Sequence, residues 1–165
     1  MKANKIPEDI REYLRYEDGK VYWTQKPCKK VRAGAEAGHY SKSKGYKVII
    51  FRGVQYRTHR VIWFLVKGEQ PTAILDHINN NPTDNRIENL RPASMSQNQH
   101  NAKTRKDNTS GVKGVYWHKP NKRWIARVKI NNKYIHIGNF TDLNEAEQAV
   151  KEARQQIHGE FANHG

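Results

Sequence analysis

Asp76-His77, Asn89 and Asn98 are the residues of this chain with the clearest capacity for chemistry. Asp76 offers a hard carboxylate oxygen of the kind that suits a divalent ion. His77 offers an imidazole able to take a proton from water. Asn89 and Asn98 supply amide oxygens and donors, for a second ligand or for fixing a loop. Such a set is sufficient for hydrolysis of a phosphodiester: a metal stabilises negative charge on the phosphate and leaving oxygen, and an imidazole activates the water. The same residue types are also turn formers, and the stretch between His77 and Asn89 is rich in them (Asn79, Asn80, Asn81, Pro82, Asp84, Asn85).

The elements that must position these groups are short. Pro7-Glu8-Asp9 opens a helix expected over Ile10 to Tyr16, and Asp18-Gly19 is a turn before a strand at Lys20 to Trp23. Residues 26–44 are polar and Gly-punctuated, which predicts a long loop. Gly45 to Phe51 and Val54 to Arg57 flank Arg52-Gly53 and read as a β-hairpin. His59 to Val66 reads as a buried helix stopped by Gly68, with a strand as the alternative in so short an apolar run. Asn101 to Ser110 has almost no apolar residue and reads as a basic linker.

Beyond Gly111 the pattern is clearer. Val115 and Trp117 alternate with Tyr116 and His118; Ala126, Val128 and Ile130 with Arg127 and Lys129; Ile135 and Ile137 with Tyr134 and His136. Three strands follow, with Asn131-Asn132 as a tight turn between the second and third. Leu143, Ala146, Ala149, Val150, Ala153 and Ile157 fall at helical spacing and would cover the apolar face. Thr141 or Asp142 can cap that helix and Gly159 can end it. The other face, with Tyr, His, Arg and Lys and no acidic residue, suits the DNA major groove.

The bulk numbers agree with a polyanionic partner. The 165 residues carry 30 Lys+Arg against 16 Asp+Glu, a net charge of +14, with a pI near 9.9. Only 36% of residues are hydrophobic, so two small domains would each be marginal without a metal or other staple. No apolar run is long enough to span a bilayer, and Met1 to Ile10 does not read as a secretory signal. Cys28 stands alone, which excludes a disulfide framework and a cysteine zinc site, and fits a reducing intracellular compartment.

His77, eleven intervening residues, Asn89, eight intervening residues and Asn98 resemble the HNH nucleases, specifically the phage and intron-homing branch with Asn in the third position. The likeness covers roughly residues 15–102, and its most specific piece runs from Asp84 to Leu90. It implies a β-hairpin and a helix clamped around one metal ion (a ββα-metal core). In it His77 is the general base, Asp76 and Asn98 are metal ligands, and Asn89 holds the hairpin loop so that His77 points correctly. His100 competes with Asn98 as second ligand, but residues two apart on a helix point about 200° apart and cannot face the same ion. Two oxygen donors suit a Mg²⁺-like ion, with Mn²⁺ as the alternative. Arg60, beside His59, is a candidate phosphate contact or a carboxylate partner.

The C-terminal segment resembles the plant-type APETALA/ethylene-response DNA-binding domain in Ser110 to Val115, Lys122-Arg123-Trp124, Ile137 to Phe140 and Gly159 to Ala162. That likeness makes Lys113, Tyr116, His118, Arg127, Lys129, Tyr134 and His136 the DNA-contact candidates, while Trp124 reads as core. The expected fold is α+β. A nuclease domain over 1–102, with its ββα-metal core at about 70–102, is followed by a basic linker at 103–110. A three-stranded antiparallel sheet packed on one helix completes the chain over 111–165. The expected function is site-recognising, metal-dependent cleavage of double-stranded DNA by a homing-type endonuclease. It would nick as a monomer in the cytoplasm of a bacterial host, with no membrane partner and no small-molecule cofactor. The alternative is a catalytically inactive, sequence-specific DNA-binding regulator.

Overall fold

Two-residue turns with both residues at positive φ organise the N-terminal half, as such turns match the twist of the strands they join. Asp18 and Gly19 (φ 41° and 77°) join β1 (Leu14–Glu17) to β2 (Lys20–Trp23), and Arg52 and Gly53 (φ 49° and 77°) join β4 (Tyr46–Phe51) to β5 (Val54–Arg57). The computed structural model describes residues 4–104, 107–131 and 133–165. Its first helix, α1 (Ile10–Tyr13), is shorter than the expected Ile10 to Tyr16. Leu14 turns extended because β1 pairs antiparallel with β2, setting Leu14 opposite Trp23 and Tyr16 opposite Val21. That register buries Leu14, Val21 and Trp23, a gain the isolated helical reading could not see.

The stretch expected as loop, 26–44, contains a short strand, β3 (His39–Ser41), which pairs antiparallel with β4. The apolar run after β5 is helical: α2 (Thr58–Lys67) ends at Gly68, whose φ of 80° lets its N–H return to the Phe64 carbonyl at 3.1 Å. Val61, Ile62 and Phe64 of α2 are fully buried against Ile6, Ile10, Leu14, Val21, Ile49 and Phe51. Leu75 and Leu90 join the same cluster and so anchor the next hairpin to this core. Each such side chain contributes about 1.5–3 kcal/mol by leaving water.

That hairpin is β6 (Ile74–His77) with β7 (Leu90–Ala93), antiparallel, closed by a loop and a 3₁₀ turn at Ile87–Asn89. Helix α3 (Met95–His100) follows, opened by a capping box in which Ser94 accepts from the Gln97 N–H and Gln97 Oε1 accepts from the Ser94 N–H.

Two compact units divide the chain, Met1–Ala93 and Ser94–Gly165. The division falls before α3, earlier than the expected domain end at residue 102. The reason is local packing: His100 of α3 stacks on His158, and Lys113 Nζ donates to the His100 and Ala102 carbonyls. Of the expected linker at 103–110, Arg105 and Lys106 lie outside the described residues. Its C-terminal part is pinned, since Asn108 Nδ2 donates to the Val112 carbonyl (2.9 Å) and Ser110 Oγ to the Val115 carbonyl (2.7 Å).

In the second unit β8 (Val115–His118), β9 (Arg123–Ile130) and β10 (Lys133–Phe140) form an antiparallel sheet ordered β10-β9-β8. Asn132, half of the expected turn between β9 and β10, lies outside the described residues. Helix α4 (Leu143–His158) starts at Asp142, whose Oδ1 accepts the N–H groups of Asn144 (2.7 Å) and Glu145 (3.1 Å). Val115, Ala126 and Val128 of the sheet pack on Ala146 and Val150 of α4, with Trp124, Ile137, Phe140 and Leu143 around them. The register slips between His136 and Gly138, a bulge at Ile137, and Ile135 beyond it stays 40% exposed on the edge strand. Among the described residues no helix is long and apolar enough to cross a membrane.

Candidate active site and basic sheet face

The β6–β7 hairpin brings Asp76, His77 and Asn89 together. Asp76 lies opposite Arg91 in the antiparallel register, and its Oδ2 is 3.0 Å from Arg91 Nε, with both side chains largely buried. A buried carboxylate of this kind persists because it is paired and hydrogen-bonded. His77 is the next residue, the last of β6. Its Nε2 lies 3.0 Å from Asn85 Oδ1, and its ring meets His59 of α2 edge-on, with centroids 5.2 Å apart. His59 is 5% exposed, and its Nδ1 has no hydrogen-bond partner among the described residues. Burial first, then the neighbouring His77, Arg57 and Arg60, push its imidazole down to about 3, so it stays neutral at neutral pH.

Asn89 is buried and ties the loop across its width. Its Oδ1 accepts the Asn79 N–H (3.0 Å), and its Nδ2 donates to Asn79 Oδ1 (3.0 Å) and to the Asp84 carbonyl (2.7 Å). Asn79 Nδ2 in turn donates to Asp84 Oδ2 (2.7 Å), and the Ile87 N–H reaches Tyr16 Oη (3.1 Å). The Asp84 carboxyl is held well below the usual carboxylate range, chiefly by hydrogen bonds from the Arg86 guanidinium. Asn79, Asp84 and Asn85 were not singled out by sequence reasoning. Their signal was hidden because Asn and Asp in a row read as turn residues, whereas here their side chains bind one another and His77.

Asn98 sits on α3, in the second unit, half-buried, with its backbone N–H on the Ser94 carbonyl (3.0 Å). His100, the competing ligand, is engaged elsewhere: its ring stacks on His158 at 3.7 Å and its Nε2 is 3.2 Å from Ser96 Oγ. Arg60, a candidate phosphate contact or carboxylate partner, and Lys113, a candidate DNA contact, both donate to backbone carbonyls. Arg60 Nη1 donates to the Ala73 carbonyl (3.2 Å) and Nη2 to the Pro71 carbonyl, which fastens the approach to β6 onto α2. Lys113 is turned onto the carbonyls of His100 and Ala102, and burial followed by the neighbouring Arg154 lowers its ammonium to about 8.

The other expected contact residues share the face of the second sheet that points away from α4. The Arg127 guanidinium lies between two rings, 4.7 Å from the Tyr116 centroid and 4.0 Å from that of Tyr134. Lys129 Nζ is 5.9 Å from the Tyr134 ring, and His136 stands opposite Arg127 in the register. His118 Nδ1 accepts the Asn121 N–H at 3.3 Å, closing the turn before β9. Trp124 meets Trp117 edge-on at 5.0 Å and packs against the apolar cluster. Stacking between two tyrosines holds Arg127 extended at little entropic cost. Arg127→Ala is expected to weaken duplex DNA binding by about 1–3 kcal/mol at fixed salt. Fluorescence anisotropy checks this, and an unchanged Kd removes Arg127 from the interface.

Residues 56–100, which include the β6–β7 hairpin with Asp76, His77 and Asn89, match the HNH endonuclease family. The chain is also 36% identical over 107 residues to Protein 3.8 of Escherichia phage T7, an alignment taking in 64% of this chain and 88% of that protein. The chain therefore belongs to the same family as that phage protein and carries an HNH endonuclease domain. No solved structure matches it.

Proposed function

We propose that the protein is a metal-dependent DNA endonuclease of the homing type, acting as a monomer that nicks duplex DNA. The observation that carries this reading is the β6–β7 hairpin, where Asp76 and His77 are adjacent and the following loop is tied by Asn89. His77 takes the proton of the attacking water as its oxygen bonds to phosphorus; the bond to the 3′ oxygen breaks with its electron pair, and that oxygen takes a proton from solvent water, leaving a 5′-phosphate and a 3′-hydroxyl. Asn89 keeps the loop closed over β6, so that the imidazole is presented rather than free to swing.

Asp76 and Asn98 are the residues that would hold the ion. The donor set fits it: a carboxylate and an amide oxygen are hard ligands, and Mg²⁺ characteristically takes one or two carboxylates and fills its remaining positions with water and phosphate oxygens. Mn²⁺ tolerates the same donors. Such an ion supplies charge stabilisation at the phosphate and the leaving oxygen.

The second unit would serve as an APETALA/ethylene-response-type reader, with Tyr116, Arg127, Lys129, Tyr134 and His136 in the major groove and His118 at its rim. The net charge of +14 supports this partner, through release of counterions from the phosphates. The relative from an Escherichia phage supports action in the cytoplasm of a bacterial host.

Relaxation of supercoiled plasmid tests the proposal. Nicked circles are expected to accumulate with Mg²⁺ and to disappear with a chelator. Cutting that survives chelation sinks the metal role. Tight duplex binding with no cutting under Mg²⁺ or Mn²⁺ replaces the enzyme by a DNA-binding regulator.

A further inference from the structure

We propose that the second unit carries a binding site for a phosphate monoester, the group found on a nucleotide or at the end of a DNA strand. The site stands independently of the nuclease reading. It is a cavity of about 590 Å³ within this unit, walled by residues of 99–104 and 107–108, the start of β8, the end of β9 and the last turns of α4. Lys103, Lys113, Arg127, Lys129 and Arg154 line it, against one carboxylate, Asp107, among the described residues.

Arg154 is 3% exposed, and its partners are neutral: Nη2 donates to the Lys113 carbonyl and Nη1 to His164 Nδ1 at 3.2 Å. Lys113 Nζ likewise meets only carbonyls, those of His100 (2.9 Å) and Ala102. Burying a charge is costly unless an opposite charge compensates it, and carbonyls and an imidazole bring dipoles alone. A guanidinium has five N–H donors and an ammonium three, so both groups keep donors to spare. Thr104 Oγ1 and His158 Nδ1, of two further lining residues, are buried with no hydrogen-bond partner among the described residues. The crowding of cations also shows in their titration. Burial and then Arg154 lower Lys113 to about 8; burial, then His100, Arg154 and Lys113, push His158 down to about 4.

Charge and shape both select the monoester. It carries about −1.5 to −2 at neutral pH on three acceptor oxygens, enough to offset Arg154 and Lys113 together, whereas a phosphodiester brings a single charge. A terminal phosphate can also enter a recess that a diester, flanked by a sugar on each side, cannot reach. Tyr134 lines the same cavity and is 58% exposed, with the Arg127 guanidinium 4.0 Å from its ring centroid. It offers an aromatic surface for the base that a nucleotide brings with its phosphate.

Titration of the full chain with thymidine 5′-monophosphate at fixed ionic strength, followed by calorimetry and amide ¹H–¹⁵N spectra, tests the site. Binding at millimolar concentration or tighter is expected, with shifts centred on Thr104, Lys113, Arg154 and His158, and none with thymidine. Inorganic phosphate should compete, and dimethyl phosphate, a diester, should not. Lys113→Met and Arg154→Met should each weaken the nucleotide by about 10-fold. A DNA hairpin with a 5′-phosphate, beside its 5′-hydroxyl twin and with a chelator present, identifies the source. Tighter binding of the phosphorylated hairpin, competed by the nucleotide, assigns a strand end; equal binding of the two assigns a free nucleotide. No binding of thymidine 5′-monophosphate, an equal response to thymidine, or shifts confined to the outer sheet face overturns the proposal. Unaltered affinity in both variants does the same. If Arg154→Met does not fold, Lys113→Met decides, and if neither folds, the wild-type shift map does.

Discussion

His77→Ala is expected to slow plasmid nicking by about 10²- to 10⁴-fold while leaving duplex affinity close to wild type, and to cost about 1–3 kcal/mol of stability because the buried Asn85 Oδ1 loses its partner. The imidazole is the only part removed. Asp76 keeps its pair with Arg91, and Asn89 keeps its bonds to Asn79 and Asp84. What disappears is an interaction made with the attacking water, so the loss belongs in kcat and not in binding. Single-turnover rates at saturating enzyme, beside anisotropy titrations, separate the two. Equal rates for wild type and variant would end the general-base role. A matched fall in rate and affinity would instead point to a disturbed surface.

Asn89→Ala should damage both fold and chemistry. The substitution strips the acceptor of the Asn79 N–H and the donor to the Asp84 carbonyl inside a buried loop. Leaving such groups unpaired costs about 1–3 kcal/mol each, so a loss of roughly 2–4 kcal/mol is expected in urea unfolding, with nicking falling below detection. Asn89→Asp sharpens the test. Its carboxylate still accepts from the Asn79 N–H but turns its second oxygen on the Asp84 carbonyl, so no rescue is expected. Near-wild-type stability in both variants would show that the loop is held by Asn79, Asp84 and Arg86 without Asn89.

Much of this was legible from residue order. Alternation of Val115, Ala126 and Val128 with Tyr116, Arg127 and Lys129 separates the two faces of the second sheet, because pleating leaves a strand no other choice. Arg52-Gly53 marks the β4–β5 turn for an equally local reason, its positive φ values. Contacts set by distant partners were not legible. Leu14 to Tyr16 has helical composition but is drawn into β1 by Trp23 and Val21 across the turn. Asn85 reads as one more turn residue in an Asn-rich stretch, and only the fold places its amide on His77. Arg60 and Lys113 carry the right charge for DNA, and charge alone does not reveal which carbonyls they will meet.

Helix α3 is five polar residues behind Met95, Met-Ser-Gln-Asn-Gln-His, with none of its side chains buried. It has no apolar stripe with which to dock, and its anchorage is the stacked pair His100–His158, the Lys113 ammonium on its last carbonyls, and Asn163 Nδ2 on the Asn101 carbonyl (2.9 Å). All of these partners lie downstream of the basic segment. A swap of recognition modules made at residue 102, where composition suggests a seam, would therefore leave Asn98 on a helix stripped of its supports. A chimaera joined between Ala93 and Ser94 transfers that helix together with these partners. The transferable unit is the sheet plus α3, and Asn98 travels with it.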